Sequence, residues 1–281
     1  MKTTGFLFCI LFCCAAFSSG CSQDRYSTEK DFWYAQKQAQ KIFNNPNASP
    51  PQELERVVGY SQRFVNKHPD NILASRVEFD IARLYIVKEQ YEKGRAQLES
   101  LIKKYKNVDN VCAEAVFVVG NSYELQDKWD MALEQYKKII NQYPTTIRGL
   151  SVPVYIAQHY RIKHQPEQMI AAFHDAIVHY KALVEKYPDT PFAFKTDTLI
   201  AECYAALGDW QNTVATLNTI VNKYKDKTRL DGILMNISMI YYKELKDNAM
   251  AAQTLQRLIK EYPKSRLVKP AKEYLKKIEK K

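Results

Sequence analysis

The sequence predicts an all-α protein, a solenoid of stacked helical hairpins, and three observations carry that expectation. Glycine is scarce, with 8 in 281 residues against 19 Tyr and 12 Phe. An all-β chain of this length needs many more turn glycines, and the aromatic and aliphatic residues supply a sizeable core. A short tag also recurs at the end of each apolar stretch: Lys67-His68-Pro69, Lys104-Tyr105-Lys106, Gln142-Tyr143-Pro144, Lys186-Tyr187-Pro188, Lys223-Tyr224-Lys225 and Glu261-Tyr262-Pro263. Counted from His68 and then from Tyr to Tyr, the spacings are 37, 38, 44, 37 and 38. A period in the high thirties is that of a two-helix unit plus a connector. Between the tags, small, aromatic and large apolar residues return in register.

The first segment reads as a leader, residues 1–20. Lys2 precedes an apolar run from Phe6 to Phe17, followed by Ser18, Ser19 and Gly20. That order is a charged region, an apolar region and a cleavage region. The twelve residues of the run span about 18 Å as a helix, short of a hydrocarbon core of about 30 Å. Ser18-Ser19-Gly20-Cys21 resembles the lipobox of bacterial lipoproteins, in which the cysteine after the small residues takes a diacylglycerol thioether and becomes the new N-terminus. The resemblance implies lipidation at Cys21, with anchoring through two or three acyl chains. Ser18 stands where that family usually has an aliphatic residue, so cleavage by an ordinary signal peptidase, and plain secretion, stays open. Ser22 in place of Asp after the cysteine is, by resemblance, the outer-membrane signal. Residues 21–30 are polar and read as a flexible tether.

Residues 31–69 read as a degenerate first hairpin. One helix opens at Phe32-Trp33-Tyr34 and runs to about Asn44. Asn45 to Pro51 is a Pro/Asn loop, and a second helix, 52–67, ends in the first tag. Residues 70–265 then hold about five hairpins. They resemble tetratricopeptide repeats: a small residue, an aromatic three later, a second aromatic, a second small residue, large apolar positions and a terminal Pro. The clearest unit reads Gly120, Tyr123, Trp129, Ala132, Tyr136, Ile139 and Pro144. Another reads Ala82, Tyr85, Tyr91, Gly94, Leu98 and Leu101; a third reads Ala201, Tyr204, Trp210, Thr213, Leu217 and Ile220. The next keeps Tyr242, Ala251, Leu255, Leu258 and Pro263, with Met239 at a small-residue position. Small residues let paired helices approach, aromatics fill the wedge between hairpins, and Pro forces the turn. The resemblance implies a right-handed superhelical solenoid.

The third of these hairpins is extended by 7 residues, close to two helical turns, so its apolar register survives. Ala157 and Tyr160 mark its first helix, and Pro166 to Tyr187 reads as one long second helix with Pro166 in its first turn. The extension is either a partner contact or a bend in the solenoid. Residues 266–281 read as an amphipathic capping helix. Leu267, Ala271, Tyr274, Leu275 and Ile278 alternate there with lysines, giving the polar outer face that a terminal cap needs.

Chemistry is thinly represented. There is no Gly-rich phosphate loop, no His-Glu-x-x-His and no Cys-x-x-Cys. His159, His164, His174 and His179 cluster, but the close pairs are five apart where helical metal ligands need three or four. Neither a catalytic residue, nor a metal site, nor a cofactor is expected. Cys112 and Cys203 fall more than two repeats apart, too far for a disulfide, and read as buried small apolar residues. The formal charge of +10 is spread along the chain and densest at the C-terminal lysines, which suits solvated helix faces and a basic end.

Function in such a fold lies in the groove lined by the first helices of the hairpins. By resemblance, positions two, five, nine and twelve of each face it. These positions hold Arg76, Phe79 and Arg83, then Phe117, Asn121 and Glu124. Gln158 and Arg161 follow, then Lys195, Glu202, Asn236 and Lys243. The set suits an extended or helical peptide with some negative charge. A leader that exports the chain argues against nucleic acid.

From the lipobox to the C-terminus, the architecture resembles the outer-membrane assembly lipoproteins of the BamD (YfiO) type. The stretch from Tyr187 to Leu275 resembles the repeat domain of the Tol-Pal coordinator YbgF. The extended hairpin departs from both. Either resemblance implies a lipid-anchored, periplasm-facing scaffold that binds other envelope proteins or peptides. The alternative expectation is an envelope lipoprotein whose groove holds a solute or glycan. A deep aromatic pocket favours that alternative; a long, open, polar groove favours the scaffold.

Overall fold

The structure is a computed structural model that describes residues 20–188, 190 and 192–279. The expected leader, 1–20, therefore lies outside the described residues except for Gly20. Thirteen helices and no strand occur among the described residues, so the chain is all-α. Two compact units divide it, one ending at Asp127 and the other beginning at Lys128. The sequence repeat runs through that division without a break.

The first unit holds α1 (Gly20–Asn44), α2 (Pro51–Lys67), α3 (Ile72–Val87), α4 (Tyr91–Lys104) and α5 (Asp109–Glu124). Each helix packs on the next, and α1 and α5 also both touch α3. The first helices of successive hairpins thus lie side by side. One core cluster joins Ala35, Phe64, Val65, Val77 and Ile81; a neighbouring one joins Ala39, Ile42, Leu54, Val57 and Leu84. The small-residue rule holds at Gly94 of α4: a Cβ there would come within 2.6 Å of Ile86 Cγ1 and 2.9 Å of the Ala82 carbonyl of α3.

Residues 21–30, expected as a flexible tether, are instead part of α1. No Gly or Pro interrupts residues 21–45, Arg25 and Glu29 pair at 3.0 Å one turn apart, and Thr28 is buried. A polar stretch with i,i+4 pairs and a buried anchor continues a helix rather than ending it.

The second unit holds α6 (Trp129–Gln142), α7 (Ile147–Ile162), α8 (Pro166–Lys186), α9 (Ala193–Ala206), α10 (Trp210–Tyr224), α11 (Asp231–Lys243), α12 (Asn248–Glu261) and α13 (Val268–Glu279). Again each helix packs on its successor. α8 runs 21 residues where α6, α10 and α12 run 14, 15 and 14. Tyr136 and Tyr180 are wholly buried, and Tyr180 Oη donates to the Leu150 carbonyl at 2.5 Å. At α7, Thr146 caps the first turn by accepting from the Gly149 amide at 3.0 Å. The chain passes so close that a Cβ on Gly149 would lie 2.1 Å from the Tyr143 carbonyl oxygen. Among the described residues, no helix is long and apolar enough to cross a membrane.

Two devices repeat. Glu89, Asp127, His164, Gly208 and Lys246 all have positive φ, between 54° and 73°, and each stands two residues before the next helix begins. The amide of Glu89 bonds to Ile86 and that of Gln90 to Tyr85; His164 and Gln165, and Gly208 and Asp209, repeat the pattern. This is the paired bonding of a Schellman turn, which needs the left-handed conformation. The second device is the tag itself. Its aromatic residue caps α2, α4, α6, α8 and α12. In two hairpins, the tag's lysine reaches a carboxylate on the first helix: Lys104 to Glu78 at 2.9 Å and Lys223 to Asp197 at 2.8 Å.

Candidate functional site

In the first unit, the side-by-side arrangement of α1, α3 and α5 opens a cavity of about 530 Å³ lined by residues from all three. Phe32 and Gln36 come from α1, Ser75, Arg76, Phe79 and Asp80 from α3, and Asn110, Val111 and Glu114 from α5. The α3 residues fall on one face because 76, 79, 80 and 83 are separated by three, one and three. Two of the sequence-predicted groove residues, Arg76 and Phe79, therefore meet in one place.

The floor of the cavity is polar and tightly bonded. Gln36 donates to Asp80 across the gap between α1 and α3, and Arg83 Nη1 lies 3.7 Å from Asp80 Oδ1. Burial pushes the Asp80 carboxyl above its ordinary value, against the opposing pull of the Gln36 hydrogen bond and the Arg83 charge. The Arg83 guanidinium also sits over the Phe43 ring at 4.8 Å. Arg83, expected to reach toward a partner, is thus engaged with its own unit. Arg76 is exposed and has no hydrogen bond or ion pair among the described residues, and Phe79 is half-buried beside it.

Phe117 is the clear correction. It was expected as an exposed groove aromatic, but it is only 7% exposed. α5 buries Cys112, Ala113, Ala115, Val116, Phe117, Val119, Gly120 and Ser122, which at about 100° per residue cover an arc of roughly 220° with Phe117 at its edge. The remaining arc, which holds Asn110, Glu114 and Asn121, is what α5 leaves for a groove. Asn121 and Glu124 on the same helix are half-buried.

In the second unit, Gln158 is half-buried while Arg161, Lys195 and Asn236 are exposed or half-exposed. They stand on α7, α9 and α11, and no hydrogen bond or ion pair joins any of them to another. Lys195 instead pairs with Glu202 at 3.5 Å, both more than half exposed, an arrangement worth little in water. Glu202 is exposed as well, and Lys243 ends α11. Cys112 and Cys203 are both buried and free of disulfide, as small apolar residues should be. Burial, with the nearby Glu202 charge, pushes the Cys203 thiol up to about 12. No group of three or more potential metal ligands occurs among the described residues.

Sequence reasoning missed Gln36, Asp80, Asn110 and Glu114. Their signal was available only in part. Asp80 follows Phe79 on the predicted face, but the participation of α1 depends on how the first hairpin stacks.

Residues 114–146, 198–227 and 233–265 match the Tetratricopeptide repeat family. Among curated proteins, none matches the sequence. Solved structures with a similar course include YrrB, described as a TPR protein with an unusual peptide-binding site. It is 13% identical, covering 76% of this chain and 97% of that one at a TM-score of 0.37. TTC0263, a thermophilic TPR protein of Thermus thermophilus, is 15% identical, with 73% and 98% coverage and a TM-score of 0.40. BtubC of P. vanneervenii is 11% identical, with 87% and 91% coverage and a TM-score of 0.41. The chain is an all-α array of helical hairpins, three stretches of which match the tetratricopeptide repeat.

Proposed function

We propose that this protein is a scaffold for protein–protein interaction at the bacterial cell envelope. In this reading it faces the periplasm and serves outer-membrane assembly or envelope maintenance, as do the BamD-type and YbgF-type proteins it resembles. A diacylglycerol thioether on Cys21 holds it to the membrane, most simply the outer membrane given Ser22. The repeats support the scaffold, since a stack of hairpins presents a long face assembled from many separate residues. The observation that carries the reading is the cavity shared by Phe32, Gln36, Arg76 and Phe79. An aromatic wall, an amide and an uncommitted guanidinium beside one another fit an extended or helical peptide. Such a peptide would set an apolar side chain against Phe79 and a carboxylate against Arg76.

The test is affinity capture from detergent-solubilised envelopes, with the full chain as bait. The same partner should be recovered with the native chain and lost, by about tenfold or more, with Arg76→Glu or Phe79→Ala. Recovery unchanged by both substitutions overturns the assignment of the groove, and recovery of no envelope protein overturns the scaffold. Separately, Cys21→Ala should move the protein from the membrane to the soluble fraction. A variant that stays membrane-bound without its partners rules out the lipid anchor.

A further inference from the structure

A second cavity, of about 360 Å³, opens in the second unit between α6 and α8, over α7. It is lined by the second helices α6 and α8 and by Pro153, Ile156 and Tyr160 of the first helix α7. α6 and α8 each pack on α7 rather than on one another. The walls are mostly apolar: Leu133 and Ile140 from α6, Ile156 from α7, and Ala172 and Ala176 from α8. Alanines on one wall facing Leu and Ile on the other leave a slot instead of a filled seam. Its lining on α8 runs from Gln168 to His179, twelve residues or roughly 16 Å along the helix. The extended length of α8 makes that wall continuous.

Lys137 and His179 stand toward one end of the slot, while Gln168 lines the other. Tyr136 packs edge-on against Tyr155 at 5.3 Å, and Tyr180 bonds to Leu150. These pairs set the following residue on α6, Lys137, and the preceding residue on α8, His179, beside the stretch of α7 from Leu150 to Tyr155. His179 Nε2 is buried and has no hydrogen-bond partner. A buried polar atom left unpaired costs stability, and a ligand that pairs it recovers that cost. Burial holds the His179 imidazole below its ordinary value, so near pH 7 it is a neutral ring able to donate one N–H. Lys137 is exposed at the rim and makes no hydrogen bond or ion pair among the described residues. Asp175, one turn before His179, also lines the cavity, but it is exposed and open to solvent.

We infer that this slot binds a medium-chain aliphatic carboxylate. The hydrocarbon chain lies between α6 and α8, and the carboxylate accepts from His179 Nε2 and pairs with Lys137. An elongated apolar slot with a cation and an unsatisfied donor at one end matches an amphiphile of that shape. A compact zwitterion or a sugar would leave the apolar walls facing its polar groups.

The experiment is titration of the full chain with sodium decanoate below its micellar range, read by calorimetry, with 1-decanol as the uncharged comparator. Decanoate should bind the native chain. Lys137→Gln should weaken decanoate about tenfold and leave decanol unchanged, whereas His179→Phe should weaken both. Ala172→Trp fills the slot and should abolish both. Ala171→Phe, at an exposed position on the rim, closes the mouth with less risk to folding. Circular dichroism confirms that each variant is helical. Absence of decanoate binding to the native chain, or binding that survives Ala171→Phe in a folded protein, overturns the site. Equal decanoate affinity in the native, Lys137→Gln and His179→Phe chains overturns the assignment of its polar end.

Discussion

The Tyr224 hydroxyl donates to Asp197 Oδ2 at 2.8 Å, which ties the end of α10 to the beginning of α9. Lys223 Nζ reaches the same oxygen at 2.8 Å. Tyr224 is only 6% exposed, so its hydroxyl has little access to water as a substitute. Removing the acceptor should therefore cost more than removing the donor. Asp197→Ala is expected to cost about 2 kcal/mol and Tyr224→Phe about 1 kcal/mol. Urea unfolding of the full chain, followed by circular dichroism, measures both. A Tyr224→Phe variant that loses as much as Asp197→Ala would mean that the hydroxyl, not the carboxylate, organises the contact.

The same clamps set a pH dependence. Burial pushes the Lys104 and Lys223 ammonium groups down, but the hydrogen bonds and charges of their acidic and tyrosine partners outweigh it and leave both raised above 10.5. Tyr105 and Tyr224 are raised above 10.0 by burial and by the same neighbouring carboxylates. All four groups hold their protons more tightly in the folded chain than in the unfolded one. Their contribution is complete below the unfolded values and is lost as pH rises through the folded ones. The melting temperature should be level from about pH 7 to 9 and fall above about pH 10. A Tyr105→Phe/Tyr224→Phe chain should show a shallower alkaline fall, with the lysines supplying what remains.

Four of the five left-handed turn positions carry a side chain: Glu89, Asp127, His164 and Lys246. Each holds a conformation that glycine adopts without strain. Glu89→Gly, His164→Gly and Lys246→Gly should each stabilise the chain by about 0.5–1 kcal/mol. Gly208→Ala should cost about 1 kcal/mol, entirely through the backbone, because a Cβ at Gly208 meets nothing within 4 Å. Thermal denaturation of the single variants checks the series, and a loss of stability at all three glycine substitutions would contradict it.

Two other glycines should respond in opposite directions to the same change. Gly149→Ala drives a methyl into the Tyr143 carbonyl, 2.1 Å away, and should cost about 3 kcal/mol. Gly59 lies inside α2 with open space around its Cβ direction, so Gly59→Ala should add about 1 kcal/mol through helix propensity alone. Chemical denaturation midpoints of the two variants should move to opposite sides of the native value.

The repeat was legible because its signals are local. A tag aromatic such as Tyr105 or Tyr262 ends a helix through its own backbone, and Gly94 is small because its own partner helix passes close. Arg76 and Phe79 were legible for a related reason, since helical spacing alone puts them on one face. Phe117 was misread because the same spacing says nothing about how much of a helix is covered. That depends on neighbours supplied by distant parts of the chain. Four left-handed turns were invisible because Glu, Asp, His and Lys carry no glycine mark, and only Gly208 announced its conformation.

The amino-acid sequence by itself therefore determined the hairpins, their period, their ends and the faces of their helices, all set by interactions within about forty residues. Tertiary structure alone decided what those faces enclose. Gln36 meets Asp80 only because α1 stacks on α3, and Lys137 shares an apolar slot with His179 only because α6 and α8 both lean on α7 rather than on each other. Periodicity states which side of a helix is apolar; only packing states whether that side is filled by a neighbour or left open for something else.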